Sequence, residues 1–192
     1  MKRIFSFGAS TAQGALDTEE GGFIMRIGKR LEQEHLGHAE NFGIGGHTTN
    51  DMVLRLTEIP IHAESDLAIV TLGVNDVART PDVQPEKRVA LAKHSAQAEE
   101  ILEYMKSRCQ VLYVTQYPIA FADRGLEESL VVSYVDAGRR IAKIMGIDVL
   151  DIYREIDDAK YSDFIADDGM HFNSAGHAYI AERIWAVLFS DS

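Results

Sequence analysis

Hydrophobic residues along this chain follow two alternating patterns. Short, continuous apolar runs predict strands that are buried on both faces of a sheet, and they occupy residues 4–7, 67–72, 111–115 and 149–153. A shorter strand is predicted at the start of residues 41–49. The segments between the runs carry apolar residues at helical spacing, with charged residues on the opposite side. The alternation predicts a three-layer α/β/α fold with a central, parallel five-stranded sheet.

Residues that are typical of helix ends predict where several helices begin and end. Pro85 followed by Glu86 indicates a helix start, and that helix is expected to run to about residue 107. Asn50 or Asp51 is expected to cap a short helix before it, and Gly146 to end a later one. The other helices are predicted around apolar sets: Phe23, Ile24, Ile27 and Leu31; Met52, Leu54 and Leu56; Val131, Val135, Ile141, Ile144 and Met145; Tyr179, Ile180, Ile184, Trp185 and Leu188.

Length, composition and charge limit the number of domains and the kinds of partner that we expect. A chain of 192 residues without repeats or linkers indicates one domain, residues 1–192. Its 30 acidic and 19 basic residues give a net charge of −11, which disfavours nucleic acid and anionic lipid surfaces as partners. The only cysteine, Cys109, cannot form an internal disulfide, and the apolar run after Met1 is too short for an export signal or a membrane span. A cytoplasmic location is expected.

A serine lies at the first predicted turn. The run over residues 4–7 stops at Gly8, and Ser10 follows within two residues. Ligands of parallel sheets bind outside the carboxyl ends of the strands, so the Ser10 hydroxyl is expected at a binding site. The alternative is that Ser10 and Thr11 only cap the next helix or close the turn.

Three further polar clusters follow other strands or lie in neighbouring loops, and together they supply the parts of a serine hydrolase. Histidine can take the proton of a serine hydroxyl near neutral pH, and a carboxylate normally holds its ring in one tautomer. Asp168 precedes His171 by three residues, with Gly169 between them to let the backbone turn. Ester turnover is therefore expected to fall below about pH 6.5, where histidine protonates.

A negative tetrahedral intermediate requires pre-placed donors. The candidates are the backbone N–H groups of Ser10 and Gly43 and the side-chain amide of Asn75. Each has a structural alternative, because Gly43 also suits a turn and Asn75 with Asp76 also suits a helix cap. His171 in turn suits an interior position.

The four clusters, taken in order, resemble the conserved blocks of the SGNH hydrolases, also called GDSL esterases and lipases. The matching segments are Gly-Ala-Ser at 8–10, Asn-Phe-Gly-Ile-Gly-Gly at 41–46, Gly-Val-Asn-Asp at 73–76 and Asp-Gly-Met-His at 168–171. The resemblance implies a flavodoxin-like fold, hydrolysis of small-molecule esters, no metal and no organic cofactor. It also implies that Ser10 is the nucleophile, His171 the base and Asp168 its orienting acid, with Ser10, Gly43 and Asn75 as the oxyanion hole.

Two positions depart from the family pattern. Ala9 stands where the family usually has aspartate, so the first loop is expected to be looser or held by Thr11, Asn75 or Asp76. Phe172 stands where proline is frequent. These departures affect the expected rate and substrate more than the type of reaction.

Several alternatives remain open from the sequence. Asp167, Asp168, His171 and His177 lack the usual spacing of a metal site, and residues 43–46 lack the full pattern of a nucleotide-binding loop. A non-catalytic ligand-binding domain, a thioesterase, a lysophospholipase and a carbohydrate deacetylase are the other functions considered. An apolar acyl pocket is expected from Phe121, Phe164 and Met170, with Ile119 and Ile165 beside them. The sequence predicts no oligomeric state.

Overall fold

The fold is built on a parallel sheet. A computed structural model describes residues 2–61, 66–77, 88–119, 126–156 and 158–189. Five strands form the sheet in the order β2-β1-β3-β4-β5, and every neighbouring pair is parallel. Their bounds are β1 (Lys2–Gly8), β2 (Gly37–Gly43), β3 (Asp66–Thr71), β4 (Gln110–Val114) and β5 (Asp148–Leu150). The predicted α/β class and its parallel sheet are confirmed.

Helices connect the strands and cover both faces of the sheet. They are α1 (Ser10–Gln13), α2 (Phe23–Gln33), α3 (Thr49–Leu54), α4 (Val74–Val77), α5 (Leu91–Lys106), α6 (Glu128–Ile144), α7 (Ile152–Glu155), α8 (Asp158–Phe164) and α9 (Ser174–Phe189), with a 3-10 turn at Leu56–Glu58. Helices α2 and α9 share one apolar cluster with the sheet, whereas α3 and α5 share the other.

Alternating side chains of the strands feed the two clusters. In β3, Leu67 and Ile69 pack on the α2 and α9 side, whereas Ala68 and Val70 pack on the α3 and α5 side. All six residues of β3 are buried. A strand covered on both faces needs apolar residues at successive positions, which explains the continuous runs in the sequence.

Three predicted element boundaries are wrong. The helix expected from Pro85 begins at Leu91, because Val89 donates its N–H to Asp76 O and residues 88–90 are not helical; residues 78–87 lie outside the described residues. The strand expected over 149–153 ends at Leu150, and α7 begins at Ile152. The short helix is preceded by Thr48 rather than by Asn50 or Asp51.

The cap of that short helix has a clear physical reason. The Asp51 carboxylate accepts the N–H and the hydroxyl of Thr48, both at 2.8 Å, and this fixes the first turn of α3. Leu54, which was expected on the apolar face of this helix, is instead 81% exposed. Helical spacing alone does not show which side of a short helix meets the sheet.

The strand order creates one place where loops diverge. The chain runs from β1 outward to β2 on one side, then returns to β3 and continues to β4 and β5 on the other side. Ligands of doubly wound sheets bind at such a switch point, outside the carboxyl ends of the strands. The loop after β1 carries Ser10, and the loop after β3 carries Asn75, so the fold places both beside this point.

Two further expectations concern the free thiol of Cys109 and the absence of a membrane span. Cys109 is a buried free thiol, and burial raises its pKa to about 11. Among the described helices, none is both long and apolar enough to cross a membrane. The cytoplasmic location and the exclusion of nucleic acid stay predictions.

Candidate active site

Ser10 begins helix α1 immediately beyond the first strand. Gly8 ends β1 in close contact with Thr71 of β3, where a Cβ would collide with the Thr71 hydroxyl and carbonyl. As the first residue of α1, Ser10 has an N–H with no acceptor inside the helix. The side chain is largely buried, with the residue 8% exposed, and its hydroxyl oxygen lies 3.1 Å from Nε2 of His171.

His171 is held by Asp168. The Nδ1 atom of His171 lies 2.5 Å from Oδ2 of Asp168, and Oδ1 accepts the N–H groups of Met170 and His171 at 2.9 Å each. Gly169, with φ of +65°, provides the turn between them. When the carboxylate accepts the Nδ1 proton, the lone pair of Nε2 faces the Ser10 hydroxyl.

The electrostatics of Asp168 suit an ionised orienting acid. Partial burial raises its pKa, but hydrogen bonds from the His171 ring and from two backbone N–H groups outweigh burial, so the pKa lies below its ordinary value. Asp168 and His171 remain partly open to solvent, at 39% and 24% side-chain exposure. The His171 ring can therefore exchange protons with water.

Contacts outside the reacting groups join the segments that carry Ser10 and His171. The Asp17 carboxylate, after α1, accepts the Ser174 hydroxyl at 2.8 Å, and His177 Nε2 lies 3.1 Å from Ala15 O. Asp17 is also bound by Arg26 and by the N–H of Gly22. The loop that follows Ser10 and α1 is thus fixed to the start of α9, which lies directly beyond His171.

Tyr117 provides a second link beyond β4. Its hydroxyl donates to Met170 O at 2.7 Å and lies 3.2 Å from Oγ1 of Thr11. Its ring packs against Phe172, with ring centroids 3.8 Å apart. The Tyr117 side chain therefore contacts both helix α1 and the loop that carries His171.

Asn75 lies in α4 and is held by a buried network. Its amide donates to His47 O at 2.9 Å, and one N–H hydrogen remains for another acceptor. The neighbouring Asp76 carboxylate accepts the N–H and hydroxyl of Thr49 at 2.8 and 2.7 Å and contacts His94 Nδ1 at 2.5 Å. Since Asp76 and His94 are almost fully buried, they fix α4 against α3 and α5.

The structure gives the N–H of Gly43 another partner. This group donates to Oδ1 of Asn41 at 2.9 Å, so it does not face an empty oxyanion position as expected. Gly46 lies three residues further along, has φ of +78°, and its N–H has no hydrogen-bond partner among the described residues. A Cβ added at Gly45 would lie 3.9 Å from that of Ser10, which places the tip of this loop beside the serine.

A cavity of about 20 Å³ adjoins Ser10 at the carboxyl ends of β1, β3 and β4. Its lining consists of Ala9, Ser10, Thr11, Thr71, Leu72, Gly73, Val74, Val114, Thr115, Gln116, Tyr117 and Ile180. The apolar pocket expected from Phe164 and Met170 is not found there. Phe164 stacks on Tyr179 at 4.7 Å between centroids, and Met170 is buried in the core. Phe121 lies outside the described residues.

The remaining candidates have structural surroundings. His177 is buried, and burial lowers its pKa. His47 is half-buried, and burial lowers its pKa as well. Across the described ranges, no group of three or more His, Cys, Asp or Glu side chains is arranged to hold a metal ion. Asp66 contacts Arg3 and Asp151 contacts Arg139.

Comparison with known proteins settles the family. Residues 6–179 match the GDSL-like Lipase/Acylhydrolase family. The chain belongs to this family. As a GDSL-like acylhydrolase, it is a hydrolase of ester bonds.

Curated relatives match over most of their length. The isoamyl acetate-hydrolyzing esterase 1 homolog of Homo sapiens is 23% identical over 205 residues, covering 97% of this chain and 81% of the relative. An acetylxylan esterase of Geobacillus stearothermophilus is 25% identical over 178 residues, covering 88% and 80%.

Solved structures share the fold. An acetyl xylan esterase superposes with a TM-score of 0.82 at 20% identity, covering 97% of this chain and 100% of that chain. A lipase/acylhydrolase from Enterococcus faecalis gives 0.77 at 18% identity, covering 98% and 95%.

Two side-chain amides connect the segment around Ala9 to the loop after β2, a contact that the sequence did not reveal. Asn41 accepts the Ser6 hydroxyl at 3.1 Å and donates to Gln13 O at 3.0 Å, and Gln13 Oε1 accepts the N–H of Gly45 at 3.0 Å. These side-chain amides tie the nucleophile helix to the loop after β2. The expected substitutes are used differently: Thr11 contacts Tyr117, and Asp76 anchors α3.

Proposed function

We propose that this protein is a serine esterase that hydrolyses small carboxylic esters, acetate esters above all, through an acyl-enzyme on Ser10. The observation that carries the proposal is the line of contacts from Ser10 Oγ through the His171 ring to Asp168, at 3.1 and 2.5 Å. These distances are within hydrogen-bond reach, as proton transfer from a serine nucleophile requires.

The reaction follows from the proposed roles. Oγ of Ser10 attacks the ester carbonyl while Nε2 of His171 accepts its proton, and Asp168 stabilises the imidazolium that forms. Collapse of the tetrahedral intermediate breaks the bond to the alcohol, which takes the proton from His171. Water then attacks the acyl-enzyme with His171 again as base, which releases the acid and restores Ser10.

The negative oxygen of the intermediate needs several donors. We assign this role to the N–H of Ser10 and the Nδ2–H of Asn75, and we add the N–H of Gly46. Gly43 supports the loop by its hydrogen bond to Asn41 instead. Asn75 suits the role because His47 O and the Asp76 network fix its position before substrate arrives.

The acetate preference has two supports. Both curated relatives carry acetate esters in their names, one of isoamyl alcohol and one of xylan. The cavity beside Ser10 is also small, since about 20 Å³ holds only one or two water-sized groups. A short acyl group is therefore the substrate class that we propose.

Single-residue variants test this function. We expect wild-type protein to hydrolyse p-nitrophenyl acetate, and Ser10→Ala and His171→Gln each to lower kcat by about a thousandfold or more. Glu182→Gln, an exposed change on α9, is the control and should keep full activity. Full turnover by Ser10→Ala would refute the proposal.

A further inference from the structure

The hydroxyl of Tyr117 connects the two segments that carry the proposed nucleophile and base. It donates to Met170 O at 2.7 Å and lies 3.2 Å from Oγ1 of Thr11. Thr11 directly follows Ser10, and Met170 directly precedes His171. The Tyr117 oxygen therefore contacts the residues next to Ser10 and His171, whose side chains lie 3.1 Å apart.

The chemistry of the three groups determines the direction of these hydrogen bonds. A carbonyl oxygen can only accept, so the Tyr117 hydroxyl uses its one hydrogen on Met170 O. The Thr11 hydroxyl must then donate to the Tyr117 oxygen. The result is a chain of two hydrogen bonds that run in the same direction, and each bond in such a chain strengthens the other. Removal of the tyrosine hydroxyl breaks both bonds.

The Tyr117 side chain is itself held in place by the core. It is 2% exposed, and its ring packs on Phe172 with ring centroids 3.8 Å apart. Tyr117 also lies shortly after β4, a strand that is paired on both sides within the sheet. Because the ring cannot turn away without losing this packing, the core fixes the position of the hydroxyl oxygen.

The turn that carries His171 is held by a second tyrosine as well. The Tyr161 hydroxyl donates to Gly169 O at 3.0 Å, so two tyrosine hydroxyls bind successive carbonyls of this turn. Tyr161 belongs to α8 and ties the turn to that helix. The Tyr117 hydroxyl also reaches α1, and it therefore relates the turn to the segment of the proposed nucleophile.

On the basis of the proposed esterase function, we infer that Tyr117 is a positioning residue that sets the distance between the Ser10 hydroxyl and Nε2 of His171. The links at Asp17 and Ala15 join the same two segments but lie further along the chain from both groups. Proton transfer needs the two atoms at about 3 Å, and a displacement of about 1 Å can lower the rate by about a hundredfold. Loss of the tyrosine hydroxyl should therefore slow the reaction without weakening the binding of substrate.

Single-atom changes at both ends of the Thr11–Tyr117 contact test this role. Tyr117→Phe removes the hydroxyl and keeps the ring on Phe172. Thr11→Val removes the other hydroxyl at nearly constant volume, whereas Thr11→Ser retains it. Tyr179→Phe is the matched control, since it also loses a tyrosine hydroxyl, but one that contacts Glu155 at 3.0 Å. The measurements are kcat and KM for p-nitrophenyl acetate with the full chain, and Tm from thermal unfolding.

We expect Tyr117→Phe to lower kcat by about tenfold or more and to change KM by less than about twofold. Thr11→Val should lower kcat by about threefold or more, and Thr11→Ser should restore it to within about twofold of wild type. Because both variants break the same chain, Thr11→Val added to Tyr117→Phe should cost less than about twofold further. Tyr179→Phe should behave as wild type.

Several results would overturn the inference. A kcat of Tyr117→Phe within about twofold of wild type would do so, even with a lower Tm, because the role would then be structural only. Losses that multiply in the double variant would show that the two hydroxyls act independently. If Tyr117→Phe does not fold, equal kcat values of Thr11→Val and Thr11→Ser overturn the inference. Full activity of Ser10→Ala, by contrast, would refute the esterase function itself, and this inference with it.

Discussion

We expect loss of the Asp17 carboxylate to lower both the stability and the activity of the protein. The Asp17 side chain is fully buried and accepts hydrogen bonds from Arg26, Ser174 and the N–H groups of Glu19, Glu20 and Gly22. Removing it in Asp17→Ala leaves a mostly buried guanidinium, at 15% exposure, without its main partner. Breaking such a pair costs about 3 kcal/mol or more, which corresponds to a fall in Tm of about 6–12 °C for a domain of this size.

The pKa of Asp17 determines how its contribution to stability changes with pH. Burial raises the pKa of Asp17, but the hydrogen bonds from Arg26, Ser174 and the backbone lower it far below its ordinary value. A depressed folded-state pKa contributes stability above the unfolded pKa, and this contribution is lost as the pH falls below about 4. The stability difference between wild type and Asp17→Asn should therefore be largest near neutral pH and shrink in acid.

Urea unfolding at several pH values measures this effect. Glu19→Gln is the matched control, because Glu19 also contacts Arg26 but is 70% exposed, so its change should cost less than about 1 kcal/mol. Asp17→Ala should also lower kcat, since Asp17 ties the loop after Ser10 to the start of α9. An Asp17→Ala protein as stable as Glu19→Gln would refute the reasoning.

Three other outcomes follow from the site. Asp168→Asn should lower kcat by about a hundredfold or more in an ester assay, because the His171 ring loses the acceptor that fixes its tautomer; near-normal kcat would contradict that role. Asn75→Ala should lower kcat by about a hundredfold with a smaller change in KM, and a near-normal kcat would contradict its role as an oxyanion donor. Cys109, buried and with its pKa raised to about 11, should react with a thiol reagent only after denaturation; rapid labelling of the folded protein would contradict its burial.

The fold was largely predictable because its signals are local and repeated. Continuous apolar runs mark the strands of a buried parallel sheet, and β3 meets this expectation at each of its positions. Boundaries were less predictable because tertiary contacts decide them. Val89 donates its N–H to Asp76 O and lies in a non-helical segment before α5. No residue near Pro85 in the sequence indicates this contact.

The side chains that we propose to react were predictable from motifs, whereas the residues that hold them in place were not. Ser10, Asp168 and His171 each stand in a short recognisable block, and the structure brings them within hydrogen-bond distance. Asn41 and Gln13 join the loop after β2 to α1 across 28 and 32 residues of sequence, so no local pattern reveals these contacts. In the sequence, Asp17, Glu19 and Glu20 are typical of an exposed acidic loop. The structure shows that Arg26 binds the Asp17 carboxylate instead.

The residues of an acyl pocket were hard to predict for a related reason. The sequence does not distinguish an apolar residue that packs in the core from one that lines a substrate pocket. In the structure, Phe164 and Met170 pack in the core. The burial of Gln116 was not predictable, because polar residues after a strand are usually exposed.

Intact-mass spectrometry after treatment with a fluorophosphonate tests the central claim most directly, since the reagent phosphonylates only an activated serine. We expect wild-type protein to gain the mass of one adduct, mapped by peptide sequencing to Ser10, and Ser10→Ala to gain none. His171→Gln should label much more slowly because the base is missing. An adduct on another residue, or equal labelling of the Ser10→Ala protein, would contradict the account.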